Sequence, residues 1–570
     1  MRILCSARVW STLACARSRR LLSRNPVQAY NTRAFHDSLP ALLRVDPHRR
    51  SLQDPIFKDT IFALATPPGK AGVAVIRISG PAVQDVWRLM ISSPNKEGLT
   101  QNQSEKLPQP RQMVLRDIKV PSLNGDGEII DQGLVVYFAA PKSFTTEPLL
   151  EIHTHSSTAV ISKVLSSLAQ INGCRPAERG EFTKTAFMAG RMDLTEVEGL
   201  KDLIDAETEG QRKLARGLAG GDHRIRYEAL RTDIIHAMAI AEALIDFGED
   251  DNIGDEVFEQ ARDKAKELCR VMEGHLNDSR RGELMRSGVK ISIFGPPNAG
   301  KSSLLNHLSQ RDAAIVSPIA GTTRDIVSVA LDLDGIKVIL SDTAGLRVTE
   351  DQIESKGIAK AEAEVVLSDI RILVLSLPVF AYPWTQPQEY LRPVIDLVDP
   401  ERTIVLFNQS DLLPSSFSIP ARVPSASDPA LTSISVSTEI SCTPKALAER
   451  IVHEFLPRGT KIWVGSLEEK DDGLERFLTD GLGKSVKMMF ETGQGGSGEE
   501  SPLITHQRHR HHLQKSLHHL QSFLAEPPSN IILATEYLRL AAREIGKVSG
   551  REIGLEDVLD RLFGEFCIGK

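Results

Sequence analysis

The stretch "FGPPNAGKSSLLNHL", residues 294–308, decides how the rest of the chain is read. Before it, "VKISIF" (289–294) is apolar enough for a buried strand; after the lysine, "SSLLNHLSQ" opens a helix. Between them Gly295, Gly300, Lys301 and Ser302 satisfy G-x-x-x-x-G-K-[ST], and strand–loop–helix is the setting in which that spacing means a phosphate cradle. Glycines let backbone N–H groups turn toward phosphate, and the helix N-terminus adds its dipole. Lys301 is placed to reach the β and γ phosphates, and the Ser302 hydroxyl to ligate Mg²⁺. The loop predicted to bind nucleotide is therefore Gly295, Asn298, Ala299, Gly300, Lys301, Ser302 and Ser303.

Which nucleotide is decided downstream. "AGTTRD" (320–325) brings Thr322 and Thr323 in a polar loop suited to closing over Mg²⁺ and the γ phosphate. "VILSDTAGL" (338–346) is a strand ending in Asp342, Thr343, Ala344 and Gly345, with a carboxylate for hydrated Mg²⁺ and an N–H for the γ phosphate. "TIVLFNQSD" (403–411) ends in Asn408 and Asp411, whose carboxylate can pair with N1–H and the exocyclic amine of guanine. "STEISCTPK" (437–445) ends another strand, and Ser441 and Cys442 are expected to brace the base. Each tetrapeptide is weak alone; in order, at the carboxyl ends of strands in an α/β pattern, they read as a GTPase. Gln409 stands where a lysine stem normally covers the base, which predicts weaker affinity with specificity retained. Glu354 is a candidate to orient the attacking water, or a solvated helix residue.

The whole chain sets outer bounds. Its 570 residues suggest three or four domains of ordinary composition, without an apolar run long enough to span a membrane. Six cysteines, none in C-x-x-C, argue against a disulfide framework and for a reducing compartment. The first 35 residues hold seven arginines and no acid, the composition of a mitochondrial transit peptide, placed here at 1–50. Removing those seven charges would take the formal net charge from −7 to −14, so any RNA contact must be a local patch. Residues 57–190 alternate β-branched runs and Pro/Gly turns around one helix, predicting an α+β domain. His153 and His155 of "HTH" are read as strand residues rather than a metal site. Residues 191–287 are helical, with Leu230, Ile234, Met238, Ala241 and Ile245 as a buried stripe. Residues 457–570 are helical again, so the GTPase, placed at 288–456, is predicted to be inserted into one helical domain. The fold class is thus multidomain: an N-terminal α+β domain, then a helical domain interrupted by a Ras-like α/β P-loop domain.

Asn298 and the "GTTRD" loop resemble the potassium-dependent, dimerisation-activated GTPases. More specifically, "DTIFALATPPGKAGVAVIRISG", "APKSFTTEPLLEIHTH", "RPAERGEFTKTAFMAGRMDLTEVEGLKDLIDAET" and the terminal "CIGK" resemble the tRNA modification GTPase family, MnmE/TrmE, from about residue 57 to the C-terminus. The resemblance implies a homodimer that works on tRNA with a flavin-dependent MnmG-type partner; FAD would sit only in that partner. Together they would place a carboxymethylaminomethyl- or taurinomethyl-type group on C5 of the wobble uridine of mitochondrial tRNA, in the matrix. It implies a folate-binding-like N-terminal domain that takes 5-formyl- or 5,10-methylene-tetrahydrofolate and dimerises. It further implies K⁺ ligated by Asn298, Ser317, Ile319 and Thr322, and Mg²⁺ by Ser302, Thr323 and Asp342. Glu354 would orient water and Cys567 would lie near the folate as a residue needed for modification. Ser156 and Ser157, and "TTEP" at 145–148, depart from the family pattern, which puts detail of the folate site in doubt. A ribosome-assembly GTPase without base chemistry is the alternative function.

Overall fold

In the N-terminal domain, strands β1 (Thr60–Leu64), β2 (Ala71–Ser79), β3 (Ile91–Ser92), β4 (Met113–Lys119), β5 (Ile129–Phe138), β6 (Leu149–Ser156) and β7 (Cys174–Pro176) form one sheet. Their order is β3-β4-β5-β6-β2-β1-β7. The strands alternate by face. Ile76, Ile78, Val135 and Ile152 are buried under helices Val83–Met90 and Thr158–Leu168, together with Trp87, Val164 and Leu168. On the other face Arg77 pairs with Glu151, and Met113, Leu115 and Leu134 are exposed. The computed structural model describes residues 59–94, 106–122, 127–247, 254–278, 280–311, 314–315, 327–342, 361–381, 387–420, 439–469, 471–491, 501–551, 562–564, 566 and 569. The predicted transit segment lies outside them.

Two helix starts follow where the sequence marks them. Asp193 and Glu196 form a capping box on helix Leu194–Asp205, and Thr208 and Gln211 form another on helix Glu209–Ala219. Long helices Asp222–Phe247 and Gly254–Leu276 share one core with Gln507–Ala525 and Ile531–Ser549. Tyr227, Ile234, Phe258, Met272, Leu513, Phe523, Leu538 and Ile545 interlock there. The helical domain is therefore one core built from two distant pieces of chain. Of the predicted stripe, Leu230, Ile234 and Ala241 are buried and Met238 packs alongside; Ile245, near the helix end, is exposed.

The inserted domain has a second seven-stranded sheet, in the order β16-β13-β12-β8-β11-β10-β9. These are β8 (Val289–Phe294), β9 (Ala314–Ile315), β10 (Val327–Leu333), β11 (Ile336–Asp342), β12 (Ile370–Ser376), β13 (Thr403–Asn408) and β16 (Lys461–Val464). Among the described residues, strands β14 (Phe417–Pro420) and β15 (Glu439–Cys442) pair with each other alone. The domain's boundary differs from the predicted 456. Strand β16 adds in parallel beside β13, and helical residues 472–491 bury Leu474, Phe477, Leu482 and Val486 in the same core as Ile291 and Leu406. By sequence, residues 457–491 are placed with the helical domain; which core they join is set by long-range pairing. Near its end the chain returns to the N-terminal region. Phe563 and Phe566 pack with Val197, and a Cβ on Gly569 would lie 2.2 Å from the Leu64 carbonyl.

Candidate nucleotide site

Parallel strands β11, β8, β12 and β13 end together, so the loops that follow them share one edge of the sheet. This is where an open α/β sheet holds its ligand. The phosphate loop leaves β8 at Phe294 and enters helix Lys301–Arg311. Gly295 has φ +147°, and a Cβ there would meet the Val374 carbonyl at 2.2 Å; Gly300 has φ +100°, and its Cβ would meet Asn408 Nδ2 at 2.2 Å. Both positions need glycine because the loop is pressed onto β12 and β13. Asn298 sits in the left-handed region at φ +62°, which asparagine tolerates better than most residues. Lys301 is buried, and its Nζ donates to the Pro296 carbonyl at 2.8 Å, arching back over the loop. Ala299 is buried, while Ser302 and Ser303 face outward at the helix start. Asp342 ends β11 in register with Ile293, next to the strand that feeds the loop.

The base-reading end is built around Asn408. Its Nδ2 donates to the Ala299 carbonyl at 2.9 Å, and its Oδ1 accepts from the Leu467 N–H at 3.1 Å. Asn408 therefore ties the phosphate loop to the loop after β16. Gln409, at φ +65°, accepts from the Ser376 hydroxyl at 2.5 Å and donates to the Asn298 carbonyl at 3.4 Å. Asp411 presents a buried Oδ1 that accepts no hydrogen bond from the described residues. A buried carboxylate oxygen left without a donor costs free energy. A ligand donor such as guanine N1–H fits that oxygen, so the donor set suits GTP.

The MnmE helical domain family model matches residues 194–567, and the model described as GTP-binding protein TrmE N-terminus matches residues 60–191. Over 517 residues the chain is 40% identical to 5-taurinomethyluridine-[tRNA] synthase subunit GTPB3, mitochondrial, of Danio rerio, covering 90% of this chain and 93% of that one. It is 38% identical over 527 residues to tRNA modification GTPase gtpbp3, mitochondrial, of Dictyostelium discoideum, covering 90% and 96%. With tRNA modification GTPase MnmE of Rickettsia bellii it shares 37% over 513 residues, covering 90% and 100%. The chain belongs to the tRNA modification GTPase family.

For this family member the structure corrects the expected base brace. Ser441 and Cys442 lie on the separate β14–β15 ribbon. The strand beside β13 is β16, and it leads to Gly465, whose carbonyl accepts from the Ser410 N–H, and to Leu467, whose N–H donates to Asn408. The signal in the sequence is "KIWVGSLEE", a short apolar run followed by small polar residues, a pattern that "STEISC" offers earlier in the chain. Ser317, Ile319, Thr322, Thr323, Thr343, Ala344, Gly345, Glu354 and Cys567 lie outside the described residues, as does the side chain of Asp342.

A buried polar cluster elsewhere was not foreseen. Glu198, His506 and His509 bring three ligand-type atoms within 4.8 Å of one another. Arg508 grips both oxygens of Glu198, at 3.0 and 2.9 Å, and supplies the positive charge a metal ion would bring. Burial alone, the largest single influence, would raise the Glu198 carboxyl; the charges of Arg508, His506 and His509 and the hydrogen bond from His509 together outweigh it and hold the group well below the usual range. Burial pushes His506 and the nearby His223 down to about 4. The cluster joins the two halves of the helical domain, since Glu198 precedes the GTPase and His509 follows it. Of the "HTH" residues, His155 pairs with Asp131 at 2.8 Å and His153 lies two positions before it on β6, in register with Leu134.

Proposed function

We propose that this protein is the GTPase of a two-component machine that modifies C5 of the wobble uridine in mitochondrial tRNA, with a flavin-dependent partner. The observation that carries the reading is the path of the chain: the GTPase interrupts a helical domain whose last residues, Phe563, Phe566 and Gly569, return to Gly180, Val197 and Leu64. That path sets the neighbours of Cys567 beside the N-terminal domain, as a modification centre shared between the two requires. A switch without base chemistry has no use for it.

In this reading GTP lies along the loop from Gly295 to Ser303, with guanine on Asp411 and the Leu467 loop. Mg²⁺ would be held by Ser302, Thr323 and Asp342, and K⁺ by Asn298, Ser317, Ile319 and Thr322. Both ions would offset charge that develops on the phosphates during transfer. Glu354 would orient the water. A tetrahydrofolate in the N-terminal domain would supply the one-carbon unit, and Cys567 would act near it. The exposed Met113, Leu115 and Leu134, on the sheet face opposite helices Val83–Met90 and Thr158–Leu168, favour a homodimer through that domain. The relatives named as mitochondrial and the arginine-rich N-terminus favour the mitochondrial matrix.

The test is nucleoside mass spectrometry of mitochondrial tRNA from cells lacking the protein, beside cells rescued with wild type, Asn298→Ala or Cys567→Ser. Loss of the C5-modified uridine in the null, restored by wild type alone, is the expected outcome. An unchanged nucleoside profile in the null would defeat the reading in favour of a ribosome-assembly GTPase. Recovery with Asn298→Ala would remove the cation loop from it.

A further inference from the structure

The β10–β11 hairpin joins the two segments that carry the expected phosphate-sensing residues. Its strands begin just after residues 316–326 and end at Asp342, just before Thr343–Gly345. Leu333 pairs with Ile336 around a two-residue turn, and Asp334 and Gly335 both have positive φ, +52° and +85°. This is the Asp-Gly turn of a tight hairpin, whose twist matches its strands. Seven residues per strand make a ribbon about 20 Å long, stiff enough to carry a displacement from its open end to its tip.

The tip does not end in solvent. The Gly335 carbonyl accepts the N–H of Gly210 at 3.1 Å, one of the donors that the N-terminus of helix Glu209–Ala219 leaves over. One residue past Ile336, the Lys337 ammonium meets Glu207 at 2.5 Å, with both side chains about four-fifths covered. Glu207 is held in turn by Gln211, which also donates to the Arg286 carbonyl at 2.8 Å on the segment that enters β8. Beside these bonds lies a cavity of about 280 Å³, bordered by Asp202, Gln211, Arg286 and Lys337. A hairpin tip held by a few polar bonds next to open space can move as a unit, which a close-packed apolar interface resists.

We propose that Glu207, Gly210 and Lys337 are positioning residues. They form a latch through which the nucleotide domain sets the helical domain for tRNA modification. The proposal rests on the function proposed above. None of the three lies on the sheet edge that carries the phosphate loop, so hydrolysis itself is expected to survive their change. Gly210→Ala is the sharpest variant: alanine is the better helix former, yet its Cβ would lie 2.5 Å from the Gly335 carbonyl and wedge the latch open.

The experiment uses the full-length protein with its purified flavoprotein partner and mitochondrial tRNA. GTP turnover, modified uridine and amide exchange over residues 207–212 are followed in the GDP and GTP-analogue states. Gly210→Ala and Lys337→Glu are expected to hold kcat for GTP within about twofold while modification falls about tenfold or more. The swap Glu207→Lys with Lys337→Glu is expected to restore most of it, and exchange at 207–212 that differs between the two nucleotide states separates a latch from a static ion pair. Full modification by Gly210→Ala, or no rescue by the swap, overturns the latch. If wild type itself leaves the tRNA unmodified, the functional reading fails. The latch then stands or falls on whether exchange at 207–212 differs between the two nucleotide states.

Discussion

Lowering the pH from 8 to 5 is expected to loosen the helical domain, through His223 and His506. Both imidazoles are buried and held near 4, against an ordinary value of 6.5. His223 is faced by Arg226 and Glu198; His506 is faced by Glu198, His509, Asp202 and Arg286. As pH falls through 6.5 the unfolded chain takes up protons at these sites and the folded protein does not. Their stabilisation is therefore complete above 6.5 and is lost as pH falls toward 4. At pH 5 each site lies about 1.5 units below its unfolded value, a cost of about 2 kcal/mol, or about 4 kcal/mol for the pair. In a unit of this size that corresponds to a midpoint about 8–16 °C lower. Glu198 has the opposite shift: its depressed carboxyl contributes stability above about 4.5 that is lost below it, so it leaves the window from 8 to 5 unaffected. The assay is hydrogen exchange of residues 222–247 and 507–525 with parallel thermal melts at pH 8, 7, 6 and 5. His506→Asn should reduce the pH dependence, the rest staying with His223 and with the lowered His509 and His512. Identical slopes for wild type and His506→Asn, or exchange that does not change with pH, would refute the reasoning.

Other expectations follow from the nucleotide site. Asp411→Asn should weaken GTP about 100-fold or more and improve xanthosine triphosphate, because it turns one acceptor of the base-reading pair into a donor; competition binding measures it. Asn408→Ala should cost about 1–3 kcal/mol and weaken GDP and GTP alike, since it leaves the Ala299 carbonyl and the Leu467 N–H without their bond. Denaturant titration with nucleotide binding checks that result. Gly300→Ala should abolish nucleotide binding, as its Cβ would displace Asn408; retained affinity in calorimetry would contradict the close approach. Lys301→Ala should lose hydrolysis while circular dichroism stays unchanged.

The phosphate loop was legible because its chemistry is local. A glycine-rich turn between a strand and a helix is set by neighbouring residues, so Gly295, Gly300 and Lys301 stand where spacing put them. The stripe from Leu230 to Ala241 is local for the same reason. The base brace was not. Both "STEISC" and "KIWVGS" form strands, and nothing within either says which one lies beside β13. That choice depends on pairing between residues 57 positions apart, such as Ile404 with Lys461. The Glu198–Arg508–His509 cluster was hidden by a larger gap, 310 residues between Glu198 and Arg508. By itself the sequence determined the elements, the phosphate chemistry and the insertion of one domain in another. Tertiary structure alone decided which strand closes the sheet, which carbonyl caps helix Glu209–Ala219, and which charges meet inside the helical core. Short-range periodicity and spacing act within a few turns of chain, whereas partners for buried polar groups are chosen only once distant segments share one dry interior.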